Sequence, residues 1–140
     1  TSLRLAKEDA LAFDSVMNSY RLPKDTDELK ETRKEAIFDS TINAASVPLE
    51  IMHEASNLLN DIINLAKFGN LNALTDLLGS AELAYSSSKI ASLNVRINLD
   101  SINSCDQKED LKAQVLELTL LTKERYEIIN KIIMERLQWK

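Results

Sequence analysis

The stretch from residue 51 to residue 66, IMHEASNLLNDIINLA, decides the fold class of this chain. Its apolar residues recur every three or four positions, which places them on one side of an α-helix. They are Ile51, Met52, Ala55, Leu58, Leu59, Ile62, Ile63 and Ala66. A half-buried β-strand would instead alternate apolar and polar residues. The stretch therefore predicts an amphipathic helix, and similar spacing continues on both sides of it.

The residues before this stretch predict a first helix and the start of a second one. The first helix rests on the apolar residues Leu5, Ala12, Phe13, Val16 and Tyr20. Pro23 ends it, because the residue before a proline is disfavoured in the α conformation. Asp25 followed by Glu28 resembles a capping box and predicts the second helix. Pro48 interrupts that helix, which leaves either one long kinked helix or two helices that meet there.

The residues after the stretch predict two more helices. Gly69 is expected to end the preceding helix in the left-handed conformation, and Asn70 or Asn72 to cap the next one. That third helix is predicted from about residue 71 to residue 99, followed by a polar loop from 100 to 107 and a last helix. The third helix has a run of small residues from Gly79 to Ser92, which is typical of a central helix or a dimer seam. We expect an all-α antiparallel bundle of four to five long helices, homodimeric, in one domain over residues 1–140.

The composition excludes several classes of function. The chain has 140 residues and a net charge of −5, whereas general nucleic-acid binding needs a basic surface. No apolar run approaches the ~20 residues that span a bilayer. The single Cys105 cannot form an internal disulfide, which suits a cytoplasmic protein. His53 has no second histidine and no cysteine at metal-ligand spacing, so we expect no metal site.

A set of short motifs occurs in a fixed order over roughly 95 residues. They are Asp9-Ala10-Leu11-Ala12-Phe13, Tyr20-Arg21-Leu22-Pro23-Lys24, Arg33, Val47-Pro48-Leu49, Gly69-Asn70, Asp76 and Asn94-Val95-Arg96-Ile97-Asn98. In this order they resemble the cyclodeaminase/cyclohydrolase family, which implies an all-helical, dimeric folate enzyme. Members of that family usually begin with a glycine-rich helical hairpin that lines part of the catalytic groove, and nothing precedes Thr1 here. The chain is thus a fragment, lacks residues of the native protein, or has lost the hairpin.

Two carboxylates are the candidate catalytic residues. Asp9 lies in helical register with the apolar residues Leu5, Phe13, Val16 and Tyr20. Burial there would raise its pKa and make it a candidate general acid or base, although a structural hydrogen bond is the favoured explanation. Asp76 begins the third helix, where the helix dipole favours an ionised carboxylate. The resemblance assigns it a catalytic role, because the family has an aspartate at this offset after Gly69-Asn70.

Four further residues are candidates for ligand binding. Lys24 and Arg33 could bind the carboxylates of a folate tail by charge-assisted hydrogen bonds, or be surface charges. Asn94 and Asn98 lie one turn apart on one helix face, where they bind ligand or satisfy backbone groups. Asp76 shares that face with Asn94 but lies ~27 Å from it along the helix. An antiparallel dimer would bring Asp76 of one subunit near Asn94 of the other.

The resemblance implies two related reactions on a tetrahydrofolate derivative. One is hydrolysis of the methenyl bridge of 5,10-methenyltetrahydrofolate to 10-formyltetrahydrofolate. The other is cyclodeamination of formiminotetrahydrofolate, which releases ammonia. Both need proton transfer by a positioned carboxylate, and neither needs a metal or redox cofactor. The alternative is a non-catalytic helical interaction protein that retains the family fold.

Overall fold

The computed structural model describes residues 2–137, and these form four long α-helices with short connections. The helices are α1 (Ser2–Tyr20), α2 (Asp27–Phe68), α3 (Leu74–Asp100) and α4 (Asp106–Leu137), with one turn of 3₁₀-helix over Leu71–Ala73 between α2 and α3. At 42 residues α2 is the longest, about 63 Å from end to end. Residues 2–137 contain no β-strand, which confirms the all-α class.

The helix directions follow from which residues meet. Hydrogen bonds between α1 and α2 join residues 13 positions apart near their connection and 46 apart at the far end, so the two helices are antiparallel. Between α2 and α4 the separation stays at 69 to 70 positions, from Ser56–Arg125 to Ala66–Arg136. The helices α2 and α4 are therefore parallel, as alternating up and down helices require.

The central helix is α2, since it packs against α1, α3 and α4. One core cluster joins α2, α3 and α4 around Met52, Val95 and Val115. A second joins the same helices around Leu59 and Ile129. The sequence left open whether the small residues of α3 mark a central helix, and the structure gives the central place to α2.

The helix α2 is continuous across Pro48, so of the two alternatives that the sequence left open, the single long helix is the one found. A proline has no N–H and cannot donate to the carbonyl four residues earlier, which here belongs to Ala44. The Asn98 side chain of α3 donates an Nδ2–H to that carbonyl at 3.2 Å. A bond between helices thus replaces the one that Pro48 removes.

The start of α2 differs by one residue from the sequence prediction. The capping residue is Thr26, whose hydroxyl accepts a hydrogen bond from the Leu29 N–H at 3.2 Å. Asp25 and Glu28 do not form the predicted capping box, because the threonine between them occupies the N-cap position. An acidic first turn still follows, as the helix dipole favours.

Gly69 ends α2, but for a different reason from the one predicted. Its backbone is extended, with φ −69° and ψ 170°, so the expected left-handed conformation is wrong. A Cβ at this position would lie 2.5 Å from the Leu65 carbonyl oxygen, and only glycine avoids that clash. Asn70 is the cap of the next turn, since its side-chain oxygen accepts from the Asn72 N–H at 3.0 Å.

Cations from other elements bind the backbone carbonyls at three helix C-termini. Arg33 donates to the Tyr20 carbonyl at the end of α1, Arg136 to the Ala66 and Gly69 carbonyls at the end of α2, and Lys108 to the Ile102 carbonyl just after α3. The last carbonyls of a helix lack helical partners and carry partial negative charge. The cations donate hydrogen bonds to these carbonyls and balance their partial negative charge. They also connect parts of the bundle that are distant in sequence.

Candidate functional site

An open groove lies between α1 and α3, with α2 as its floor. Both outer helices pack on α2 rather than closely on each other, and the space between them measures about 680 Å³. That volume is in the range of small-molecule sites, about 300–1,000 Å³. Its lining is mainly apolar and consists of Leu5, Ala6, Asp9, Ile51, Glu54, Ala55, Leu58, Ser80, Leu83, Ala84, Ser87 and Asn94.

Asp9 lines this groove from α1 and is exposed, so its predicted burial is wrong. The buried face of α1 is formed by Leu5, Ala12 and Ser19, while Phe13 is 63% exposed. Leu5 and Ala12 pack against small and medium side chains of α2. The helix lies close to α2 because it presents an alanine there, and the large Phe13 faces away. Asp9 is consequently a groove residue and not a buried core carboxylate.

The two asparagines of α3 have separate surroundings. Asn94 is exposed and lines the groove. Asn98 is half-buried, and its amide is bonded to the Ala44 carbonyl. The shared helix face that the sequence predicted therefore contains one residue open to a ligand and one engaged in the contact between α2 and α3.

Asp76 is exposed in the first turn of α3, as the sequence predicted. The groove begins about one turn further along α3, at Ser80, whose hydroxyl donates to the Asp76 carbonyl at 2.8 Å. The distance along the helix to Asn94 is ~27 Å. Within one chain Asp76 and the Asp9–Asn94 part of the groove are thus separate.

The predicted ligand-binding cations lie outside the groove lining. Lys24 is exposed in the connection between α1 and α2. Arg33 uses its Nε and Nη2 atoms to bind the Tyr20 carbonyl, and its guanidinium lies 5.7 Å from the Tyr20 ring centroid. A third cation, Arg96 of the motif that contains Asn94 and Asn98, lines a different cavity, between α3 and α4.

The sequence prediction missed Glu54. This carboxylate lies on the floor of the groove, on the same side of α2 as Ile51 and Leu58. The signal was present in the sequence, because Glu54 interrupts an otherwise apolar helical spacing at i+3 from Ile51 and i−4 from Leu58. With Asp9 and Asn94 it gives the groove two acids and an amide above an apolar floor. Such a surface suits a flat ligand that has a cationic centre.

Within residues 2–137 no cluster of three or more His, Cys, Asp or Glu side chains is arranged to hold a metal ion. His53 is exposed and lines a small cleft between α2 and α4 with Arg125 and Glu117. None of the helices within residues 2–137 has the length and apolar character of a membrane span.

Residues 1–117 match the family model described as formiminotransferase-cyclodeaminase. Over 126 residues the chain is 30% identical to a methenyltetrahydrofolate cyclohydrolase of Methylorubrum extorquens, covering 87% of this chain and 61% of that protein. It is 32% identical over 114 residues to the formimidoyltransferase-cyclodeaminase of Rattus norvegicus, covering 81% of this chain and 21% of the rat protein. The chain thus spans less than two thirds of the length of these relatives.

The fold is also that of a solved relative. The crystal structure of formiminotetrahydrofolate cyclodeaminase from Thermotoga maritima superposes with a TM-score of 0.83 at 25% identity. The likeness covers 96% of this chain and 63% of that one. The ordered motifs, the all-helical architecture and the matched family model agree, and the chain belongs to the formiminotransferase-cyclodeaminase family.

Proposed function

We propose that the groove between α1 and α3 binds a one-carbon derivative of tetrahydrofolate and that the protein hydrolyses its 5,10-methenyl bridge. The observation that carries the proposal is the presence of Asp9, Glu54 and Asn94 in the lining of one groove with an apolar floor. One of the relatives is a methenyltetrahydrofolate cyclohydrolase, 61% of whose length this chain covers. No metal or redox cofactor takes part in this proposal, and we assign the reaction to the cytoplasm.

The charge of the groove matches the charge of the proposed substrate. The methenyl carbon of 5,10-methenyltetrahydrofolate joins N5 and N10 in a cationic amidinium, and the fused ring system beside it is flat and largely apolar. Two carboxylates stabilise such a cation where part of the surrounding water is excluded. The apolar floor formed by Ile51, Ala55 and Leu58 accommodates the rings.

Asp9 is our candidate for the general base and acid. Water adds its oxygen to the methenyl carbon and gives one proton to the Asp9 carboxylate, which leaves a neutral tetrahedral carbon between N5 and N10. The same carboxyl then protonates N5, the bond from N5 to this carbon breaks, and the hydroxyl proton leaves to solvent as the formyl carbonyl forms on N10. In this scheme Glu54 stabilises the cation, and the Asn94 amide binds the developing oxygen or a ring nitrogen.

The tail of the folate would extend along α1 towards the cations at its far end. Asp9 and Tyr20 are eleven residues apart, which is ~17 Å along the helix. Lys24 follows in the exposed connection, and Arg33 lies beside Tyr20. Both cations can meet the tail carboxylates there by charge-assisted hydrogen bonds, while Asn98 supports the site through its contact with α2.

We also propose that the protein is a homodimer that uses the outer face of α3. That face exposes Leu83 (73%), Ile90 (62%) and Ile97 (69%) and carries no charge between Asp76 and Asp100. Several large exposed apolar side chains along one helix are typical of interfaces. Leu83 also lines the groove, so this interface would border the groove. Gly79 lies on the same face with open space around the position of a Cβ, so contacts within this chain do not require a glycine there. An antiparallel two-fold arrangement would place Asp76 of one copy near Asn94 of the other, where Asp76 would join the catalytic site.

A second candidate activity is formiminotetrahydrofolate cyclodeamination. The solved structure with the same fold has this name, and the formimino group is also an amidine that becomes cationic on protonation. The groove would bind it through the same two carboxylates. Release of ammonia distinguishes this reaction from hydrolysis of the methenyl bridge.

The test measures both reactions on the purified protein. Loss of the methenyl absorbance, corrected for spontaneous hydrolysis, reports the cyclohydrolase, and ammonia release from 5-formiminotetrahydrofolate reports the cyclodeaminase. We expect Asp9→Asn to lower the faster rate by ~10²–10⁴ with an unchanged melting temperature, since Asp9 is exposed. The matched control is Asp14→Asn, which changes an exposed carboxylate of α1 outside the groove lining. A wild-type protein that accelerates neither reaction would instead support the non-catalytic interaction protein.

A further inference from the structure

We propose that Asn98 is a positioning residue, which ties α3 to α2 at Pro48 and thereby sets Asn94 opposite Asp9 across the groove. The inference rests on the proposed function of the groove. The Ala44 carbonyl accepts a hydrogen bond from the Asn98 amide. This carbonyl lies in the turn of α2 that also contacts α1.

At the Ala44 carbonyl, a hydrogen bond from another helix takes the place of the usual bond within α2. Any residue but proline at position 48 would donate its N–H to the Ala44 carbonyl within α2. With Pro48 at that position, the side-chain donor to the Ala44 carbonyl is Asn98 Nδ2, at 3.2 Å. Ala44 is 7% exposed, so little water reaches its carbonyl, and loss of the amide would leave it unsatisfied.

The same turn of α2 supports the wall of the groove that carries Asp9. Ala44 and Val47 pack against Leu5 and Ala12 of α1. Asp9 lies between those two α1 residues in sequence and on the adjoining side of the helix. The position of Asp9 is therefore set by the turn of α2 to which Asn98 is bonded.

The opposite wall is fixed by the other end of the bond. Asn94 precedes Asn98 by one turn of α3, ~6 Å along the helix axis, and faces the groove. The apolar side chains of α2 and α3 pack closely, and the directional hydrogen bond adds a specific register at this turn. The bond thus holds both walls of the groove to a single turn of α2.

A set of four proteins separates positioning from simple stabilisation: the wild type, Asn98→Ala, Pro48→Ala and the double variant. Asn98→Ala lowers both the melting temperature and kcat/KM, because the Ala44 carbonyl loses its donor and α3 its anchor. In the double variant the new N–H of residue 48 can donate to Ala44, so the melting temperature recovers. The anchor is still absent, and kcat/KM stays about 10–100-fold low, as expected for a misplaced site.

The control variants define the outcomes. Pro48→Ala alone keeps Asn98 and should retain nearly full activity, and Asn60→Ala, at an exposed position of α2, should change neither quantity. If the double variant regains both its activity and its melting temperature, Asn98 only stabilises the fold, and the positioning role is wrong. Loss of activity in Pro48→Ala equal to that of Asn98→Ala would also overturn the proposal.

A distance measurement tests the anchor without any substrate. Spin labels at Ala10 of α1 and Lys89 of α3, both exposed, report the separation of the two walls in a Cys105→Ser background diluted with unlabelled protein. We expect a shifted or broader distance distribution in the double variant and an unchanged one in Pro48→Ala. If the wild type is inactive on folates but the distribution shifts, the proposed function fails and the anchor stands. An unshifted distribution in the double variant would contradict the anchor whatever the activity.

Discussion

Polar groups on the two sides of α2 differ in their hydrogen bonding. On the side of α4, Arg125 donates to the Ser56 carbonyl and hydroxyl at 2.6 and 2.7 Å, and Arg136 binds the end of the helix. On the side of the groove, Glu54, Asp9 and Asn94 make no side-chain hydrogen bond to any residue in the range 2–137. Polar groups with partners inside the protein stabilise the fold, while unengaged polar groups in a concavity are available to a ligand.

The difference has a physical origin in the packing of the neighbouring helices. Where α4 lies against α2, apolar residues such as Leu59 and Ile129 are fully buried, and buried polar atoms need partners. The helices α1 and α3 leave solvent access between them, so carboxylates remain hydrated and need none. Three predictions test this contrast and a fourth tests the contact between α3 and α4, from the largest effect to the smallest.

The largest effect is expected for Asp76→Asn. If the homodimer brings Asp76 to the groove of the partner, the rate should fall by ~10²–10⁴, as for a general acid or base, with little change in stability. Steady-state turnover and light scattering on the same sample provide the measurement. A dimeric variant as fast as the wild type would show that the groove is complete within one chain.

On the α4 side we expect stability to change and catalysis to remain. Arg125→Met leaves the Ser56 hydroxyl without its cationic partner and should lower the free energy of unfolding by about 1–3 kcal/mol. Denaturant melts measure it, and Lys131→Met, at an exposed position of the same helix, is the control. Activity per folded molecule should stay constant. A loss of turnover without a loss of stability would contradict the assignment of the α4 side to stability alone.

On the groove side Glu54→Gln should show the reverse pattern. Removing one of two carboxylates weakens the attraction for a cationic substrate, and a tenfold rise in KM corresponds to ~1.4 kcal/mol. The control is Glu117→Gln, which alters an exposed carboxylate in the cleft between α2 and α4. Equal effects of the two substitutions on KM would show that overall charge, and not the groove, binds the substrate.

The smallest effect concerns the contact between α3 and α4. Tyr126 donates its phenol hydrogen to Glu82 and stacks on Tyr85 at 4.7 Å between ring centroids. The hydrogen bond to Glu82 raises the pKa of the Tyr126 phenol. A raised pKa of an acid means that its stabilising contribution is complete below the ordinary phenol value, about 10, and is lost as the pH rises through the folded-state value. Tyr126→Phe should therefore lower the melting temperature slightly at pH 8, and the difference from wild type should vanish at high pH.

The sequence was sufficient for the helices and the family. Apolar spacing every three or four residues indicates helices whatever they pack against, and the predicted segments agree with α1 to α4 within a few residues. The ordered motifs identified the family that the relatives and the solved structure confirm. Of the two asparagines expected to cap the third helix, Asn70 caps the 3₁₀ turn before it, and α3 begins after Ala73 without a side-chain cap.

The sequence could not determine which way α1 faces. Two apolar stripes share Leu5 and Val16, one continuing through Asp9 and Phe13 and the other through Ala12 and Ser19. Size favoured the stripe with Phe13, yet the close approach of α2 selected the one with Ala12. The face that a helix turns towards its neighbour depends on the shape of the neighbour's surface. The sequence of one helix alone does not specify that shape.

What the sequence alone determined is therefore everything that depends on neighbours within about one helical turn: the helices, their approximate ends, and the order of motifs that marks the family. The tertiary structure decided which polar residues are exposed, which line the groove and which are hydrogen-bonded within the protein. It exposed Asp9, placed Glu54 in the same groove from another helix, and bonded Asn98 to the carbonyl that the Pro48 nitrogen cannot reach with a hydrogen. These relations join residues 45 to 54 positions apart, and their energies depend on distances and burial that only the packed chain defines.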